Sequence, residues 1–93
     1  MSVEDEVETE AVCRVCGYDG EVFWEGGWPT AAICPCCGNE SDVGDASVVG
    51  LRTYRGYWVG HGAQWNDSLE ERRRKQQGWD LLEQMAQIPS RWR

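Results

Sequence analysis

Cys13-Arg14-Val15-Cys16-Gly17-Tyr18 and Cys34-Pro35-Cys36-Cys37-Gly38 form two short cysteine knuckles, with 17 residues, Gly17 to Ile33, between Cys16 and Cys34. Two Cys-x-x-Cys pairs at about this separation can converge on one tetrahedral metal ion. Each pair must deliver two sulfurs at about 2.3 Å from the metal, so the backbone between the cysteines has to curl tightly. Gly17 and Gly38 follow the second cysteine of each pair, where a tight turn needs positive φ. Pro35 fixes φ inside the second turn.

Five cysteines are present, an odd number that does not close as a set of disulfides. The repeated Cys-Gly ending selects Cys13, Cys16, Cys34 and Cys37 as metal ligands and leaves Cys36 as the spare. Cys36 has two readings, a redox-sensitive thiol beside the cluster or a small residue packed against the turn. Zinc suits four thiolates, and so does iron, because tetrahedral sulfur sites accept both.

The knuckle from Cys13 to Tyr18 and the run Cys34 to Gly38 resemble the two knuckles of rubredoxin, including the tyrosine after the first Cys-Gly. The stretch from Val12 to Trp65 is more similar to small bacterial cysteine-rich proteins of the CPCC type, named for their Cys-Pro-Cys-Cys motif. The matching pieces here are Ile33 to Glu40, Tyr54 to Trp58 and Gly62 to Trp65. The resemblance implies rubredoxin-like or zinc-ribbon knuckles. It also implies an interaction role, since some similar small proteins look like immunity partners encoded beside bacterial toxins. Relative to rubredoxin, the spacer is short, Cys36 is extra and a long C-terminal half follows.

Charge is unevenly distributed around a net −7. Residues 1–10 carry five acids and no base, residues 11–50 six acids and one base, and residues 51–93 eight bases and five acids. An acidic knuckle half repels phosphates and attracts basic proteins. The candidate partner-binding residues are therefore Glu21, Glu25, Trp28, Glu40 and Asp42. The N-terminus is acidic and lacks the basic and apolar regions of a signal peptide, and no run of about 18 apolar residues is present. Free cysteines without an export signal are expected in a reducing, cytoplasmic compartment.

The expected fold is a small α+β metal-stabilised domain with short β-strands around the knuckles and two or three short helices after them. Residues 1–10 read as a disordered acidic tail and residues 11–93 as one zinc-ribbon-like domain, with knuckles over 12–40 and a helical part over 45–90. Strands are expected around Val12, over Glu21 to Trp24 before the Gly26-Gly27 turn, and over Ala31 to Ile33. Ser41, Asp42 and Gly44 mark a loop. Asp45 is expected to cap a helix running to Val59, with Val48, Leu51, Tyr54 and Trp58 on one face and Gly60 and Gly62 at its end. Ser68 with Glu71 reads as a capping box for a second helix, in which Glu70 pairs with Arg74 and Glu71 with Lys75. A third helix from Asp80 to Ile88 is expected to turn Leu81, Leu82, Met85 and Ile88 to one side before Pro89.

Six tryptophans are unusual in so short a chain. Trp58 and Trp65 are expected in the core, and Trp28 or Trp92 at the surface as an anchor for a partner. The single histidine, His61, has no nucleophile near it in sequence, and four thiolates leave a metal no open position for water, so the chain does not read as an enzyme. The leading expectation is a zinc-stabilised protein-interaction module, of immunity type, binding a basic partner such as a toxin. The alternatives are a rubredoxin-like iron electron carrier and a nucleic-acid-binding ribbon using Arg72 to Lys75.

Overall fold

The computed structural model describes residues 8–93. It is a small α+β structure: a three-stranded antiparallel sheet, three helices and a buried cysteine cluster between them. The strands are β1 (Thr9–Val12), β2 (Asp19–Glu25) and β3 (Trp28–Pro29), in the order β1-β2-β3. Thr9 and Glu10 thus lie in a strand, inside the stretch expected to be an acidic tail; the tail's first seven residues fall outside the described residues. Glu10 is held there by Arg14, with Nε to Oε1 at 2.7 Å and Nη2 to Oε2 at 2.8 Å.

β1 pairs with β2 through Thr9 opposite Glu25 and Glu10 opposite Trp24, and the register shifts before Val12 meets Asp19. That irregularity turns the chain into the first knuckle. Gly26 and Gly27 join β2 to β3 with φ of 58° and 86°, the pair of positive angles that a two-residue hairpin turn requires. No third strand forms over Ala31 to Ile33. Ala31 takes a positive φ of 65°, which breaks the extended run, and only an isolated bridge between Ile33 and Glu40 remains. Phe23 and Trp24 are adjacent strand residues and both are buried, so the sheet is covered on both faces at that point.

Helix α1 (Val48–Gly60) buries Leu51 and Trp58, with Val48 and Tyr54 partly buried on the same stripe. Its cap is Ser47, whose hydroxyl accepts the Gly50 amide at 3.0 Å, and not Asp45. Asp45 is buried instead, its carboxylate accepting the Trp24 indole N–H at 3.1 Å and the Asp42 amide at 2.7 Å. Helix α2 (Ser68–Gln76) is capped one residue earlier than expected: Asp67, not Ser68, takes the amides of Leu69 and Glu70, and Ser68 is already helical. The pairs Glu70–Arg74 and Glu71–Lys75 form as expected, at 2.9 and 2.7 Å.

Helix α3 is only Leu81–Met85, capped by Asp80, and a short 3₁₀ turn covers Ser90–Trp92. Leu82 is exposed, contrary to the expected apolar side. The inward positions belong to Gln84 and Ile88, with Leu81 and Met85 half-buried, because a polar side chain is needed there to bond the knuckles. Among the described residues no helix is long and apolar enough to cross a membrane.

Candidate metal centre

The two knuckles fold by the same hydrogen-bond pattern. In the first, the Cys13 amide donates to Tyr18 O at 2.8 Å and the Gly17 amide to Cys13 O at 2.9 Å; in the second, Cys34 donates to Asn39 O at 2.9 Å and Gly38 to Cys34 O at 3.0 Å. Gly17 and Gly38 sit at φ of 86° and 80°, as the turns demand. Gly17 meets a second constraint, since a Cβ there would lie 2.0 Å from the carbonyl oxygen of Gln84. Helix α3 therefore rests directly on the first knuckle.

The sulfurs of Cys13, Cys16, Cys34 and Cys37 all lie within 4.8 Å of one another. Two edges of this group are direct contacts, Cys13 to Cys37 at 3.7 Å and Cys16 to Cys34 at 3.6 Å. A tetrahedron with metal–sulfur bonds of about 2.3 Å has sulfur–sulfur edges of about 3.8 Å, whereas a disulfide closes to about 2.05 Å. The spacing fits a shared cation, and all five cysteines are free thiols. Among the described residues this is the one group of three or more histidine, cysteine or acidic side chains close enough to hold a metal.

Electrostatics points the same way. Hydrogen bonds from Cys13, then Cys16 and Cys37, hold Cys34 well below the ordinary thiol range. Burial pushes Cys16 up, and the bond with Cys13 raises Cys37. Ionising several buried sulfurs this close together is unfavourable without a compensating positive ion. A divalent cation held by Cys13, Cys16, Cys34 and Cys37 would supply that charge and favour the thiolate form of its ligands. Cys36 is fully buried outside the four, its sulfur accepting Gln84 Nε2 at 3.4 Å, so it packs against the turn as a small residue.

The C-terminal half clamps the knuckles through their carbonyls. Consecutive residues of α1 reach both: Tyr54 donates its hydroxyl to Cys37 O at 3.1 Å, and Arg55 donates to Val15 O at 2.6 Å and to Arg14 O at 2.9 Å. Gln84 Nε2 donates to Cys16 O at 3.2 Å while its Oε1 accepts Trp79 Nε1 at 2.6 Å. The amides of Asn66 and Asp67 close on Pro35 O at 3.0 and 2.9 Å. None of these clamps follows from cysteine spacing, although the Tyr54-Arg55 pair lies within a motif already singled out.

Five of the six tryptophans are committed to internal contacts. The Arg14 guanidinium lies between Trp24, 3.9 Å from the ring centre, and Trp92, 3.7 Å away. Trp65 packs edge-on against Tyr18 and Trp79, with centroids at 6.1 and 5.4 Å. Trp58 is buried and donates to Gln64 O at 2.8 Å. Trp28, at the hairpin tip, keeps 77% of its surface exposed. Trp24 is the core tryptophan that sequence reasoning missed, and Trp65 and Trp92 are both half-buried.

Of the acidic candidates, Glu21 and Glu25 lie exposed on β2, where Glu25 accepts the Thr9 hydroxyl at 2.8 Å. Glu40 and Asp42 are exposed in the loop after the second knuckle. The basic run is largely occupied within the fold. Arg73 and Arg74 converge on Glu70, Arg74 also reaches Asp19 at 2.7 Å, and Lys75 pairs with Glu71. Among the described residues, Arg72 alone of the four makes no ion pair. Comparison with protein-family models, curated proteins and solved structures finds no match.

Proposed function

We propose that the protein is a zinc-stabilised interaction module of the CPCC type, in which Cys13, Cys16, Cys34 and Cys37 hold one structural ion and the β2–β3 hairpin engages a basic protein partner. The observation that carries the reading is the convergence of four buried sulfurs at tetrahedral spacing. Four thiolates close the metal's coordination, which suits a structural role. The interaction half rests on the exposed Trp28 at the hairpin tip, preceded on β2 by the exposed acids Glu21 and Glu25. Exposed tryptophan is a common interface anchor, and acidic rims attract basic partners. An immunity-type role toward a toxin is the form this takes if the resemblance to the CPCC proteins holds. The occupied state of Arg73, Arg74 and Lys75 supports this reading over nucleic-acid binding.

The test is charge reversal at Glu21, Glu25, Glu40 and Asp42, together with Trp28→Ala, measured on partners captured from cells expressing the chain. Loss of capture, with association slowed by salt, is the expected result; indifference to all five changes and to salt contradicts it.

A further inference from the structure

The cysteine cluster is not equally buried on all sides. Cys16, Cys34 and Cys36 are fully buried and Cys13 keeps 1% of its surface, whereas Cys37 keeps 7% and lines a recess of about 270 Å³. The other walls are Tyr54, Tyr57, Trp58, His61 and Gln64 from α1 and the turn after it. His61 is stacked on Tyr57 with centroids 4.0 Å apart, and its Nδ1 donates to Tyr57 O at 2.8 Å. This wall is therefore preformed, and its volume accommodates several molecules of the size of water, about 30 Å³ each.

The sulfurs also differ in their hydrogen bonds. Cys34 Sγ accepts the Cys36 amide and Cys36 Sγ accepts Gln84, both at 3.4 Å. Among the described residues no N–H donor reaches the sulfurs of Cys13, Cys16 or Cys37, whose partners are other sulfurs of the cluster. An N–H donor withdraws electron density from a thiolate and lowers its nucleophilicity, which damps Cys34 and Cys36; of the three sulfur ligands without such a donor, Cys37 belongs to the most exposed residue.

We propose that Cys37 is the modification site of the centre, reached through this recess by small hydroperoxides; the proposal rests on the metal-centre reading above. Attack of the Cys37 thiolate on a peroxide oxygen forms an S–O bond and breaks the O–O bond. Sulfur loses two electrons, peroxide is reduced, and hydroxide leaves. The resulting sulfenic acid is a poor ligand. The Cys13 thiolate, with its sulfur 3.7 Å away, then attacks it, forming a Cys13–Cys37 disulfide and expelling a second hydroxide, which is protonated to water. Cys16 and Cys34 alone remain, and the metal leaves. The redox-sensitive thiol is thus Cys37, and Cys36 is protected by burial and by Gln84.

The experiment exposes the zinc-loaded full chain to hydrogen peroxide, follows released zinc with a chromophoric indicator, and maps the product by peptide mass spectrometry with a sulfenic-acid trap. The expected result is a trapped adduct on Cys37, a Cys13–Cys37 disulfide forming in step with zinc release, and the same product from Cys36→Ser. Tyr57→Ala, which removes an exposed wall of the recess, accelerates release several-fold. First modification at Cys13, Cys16 or Cys34, loss of the product in Cys36→Ser, or a rate indifferent to Tyr57→Ala overturns the proposal while leaving the metal reading intact. A chain that takes up no zinc overturns both.

Discussion

Gly17 and Gly38 occupy equivalent turns but carry different loads. Alanine at either position costs about 1–2 kcal/mol for the left-handed conformation. At Gly17 the added Cβ also meets the Gln84 carbonyl at 2.0 Å, while at Gly38 its nearest neighbours are Asn66 side-chain atoms at 3.5 Å and beyond. Gly17→Ala is accordingly expected to destabilise the fold distinctly more than Gly38→Ala in chemical denaturation; equal losses would mean that α3 does not seat on the first knuckle. Glu70 offers a second test at this scale. Its bond with Arg73, assisted by Tyr18 and Arg74, holds its carboxyl down to about 2, below the ordinary value of about 4.3. A depressed acid contributes stability that is present above the unfolded value and is lost as pH falls from there through about 2. Wild type should therefore lose its advantage over Glu70→Gln between about pH 4.3 and 2, read as the difference in denaturation midpoints of the two proteins; a constant difference contradicts the assignment. The cysteines and their glycines were legible in the sequence because the chemistry of a tetrathiolate turn dictates spacing and φ together. The helix cap was not, since Asp45 and Ser47 both suit the position and the burial of Trp24 against Asp45 makes the choice.

At the scale of elements, α1 links the two knuckles. Arg55 donates to Val15, Arg14 and Trp92 carbonyls from one guanidinium, and each carbonyl left unbonded costs about 1–3 kcal/mol. Arg55→Met should cost about 3 kcal/mol or more in unfolding free energy, whereas Gly56→Ala, one residue on, should stabilise by about 0.5–1 kcal/mol because nothing lies within 4 Å of the added Cβ. A loss below 1 kcal/mol for Arg55→Met contradicts the clamp. The apolar stripe that located α1 in the sequence reports burial, and Leu51 and Trp58 obey it. It says nothing of donors aimed at turn carbonyls. For the same reason α3 was read as a longer apolar helix: Gln84 looks like a surface residue until the carbonyl of Cys16 and the sulfur of Cys36 are placed before it.

For the whole molecule, the sheet and helices meet at the cysteine cluster, so the metal is expected to stabilise the fold itself. Most of the small core, Val15, Phe23, Leu51 and Trp58 among it, belongs to one cluster with the five cysteines. Trp28 stands apart from that core. Trp28→Ala should leave the thermal midpoint nearly unchanged while abolishing partner capture, a separation that a packing role would not produce. The α+β class and the convergence of two knuckles were visible in the linear chain. The choice between zinc and iron was not, since four sulfurs suit both. The decisive measurement is metal per chain, with the visible spectrum before and after reduction, for wild type, Cys16→Ser and Cys36→Ser. The account predicts one zinc per chain and no visible band, with the metal retained by Cys36→Ser, lost by Cys16→Ser, and its removal unfolding the protein. A chain folded without metal, or one that keeps its metal in Cys16→Ser, contradicts the tetrathiolate centre; stoichiometric iron with a band that bleaches on reduction contradicts zinc and makes electron transfer the function.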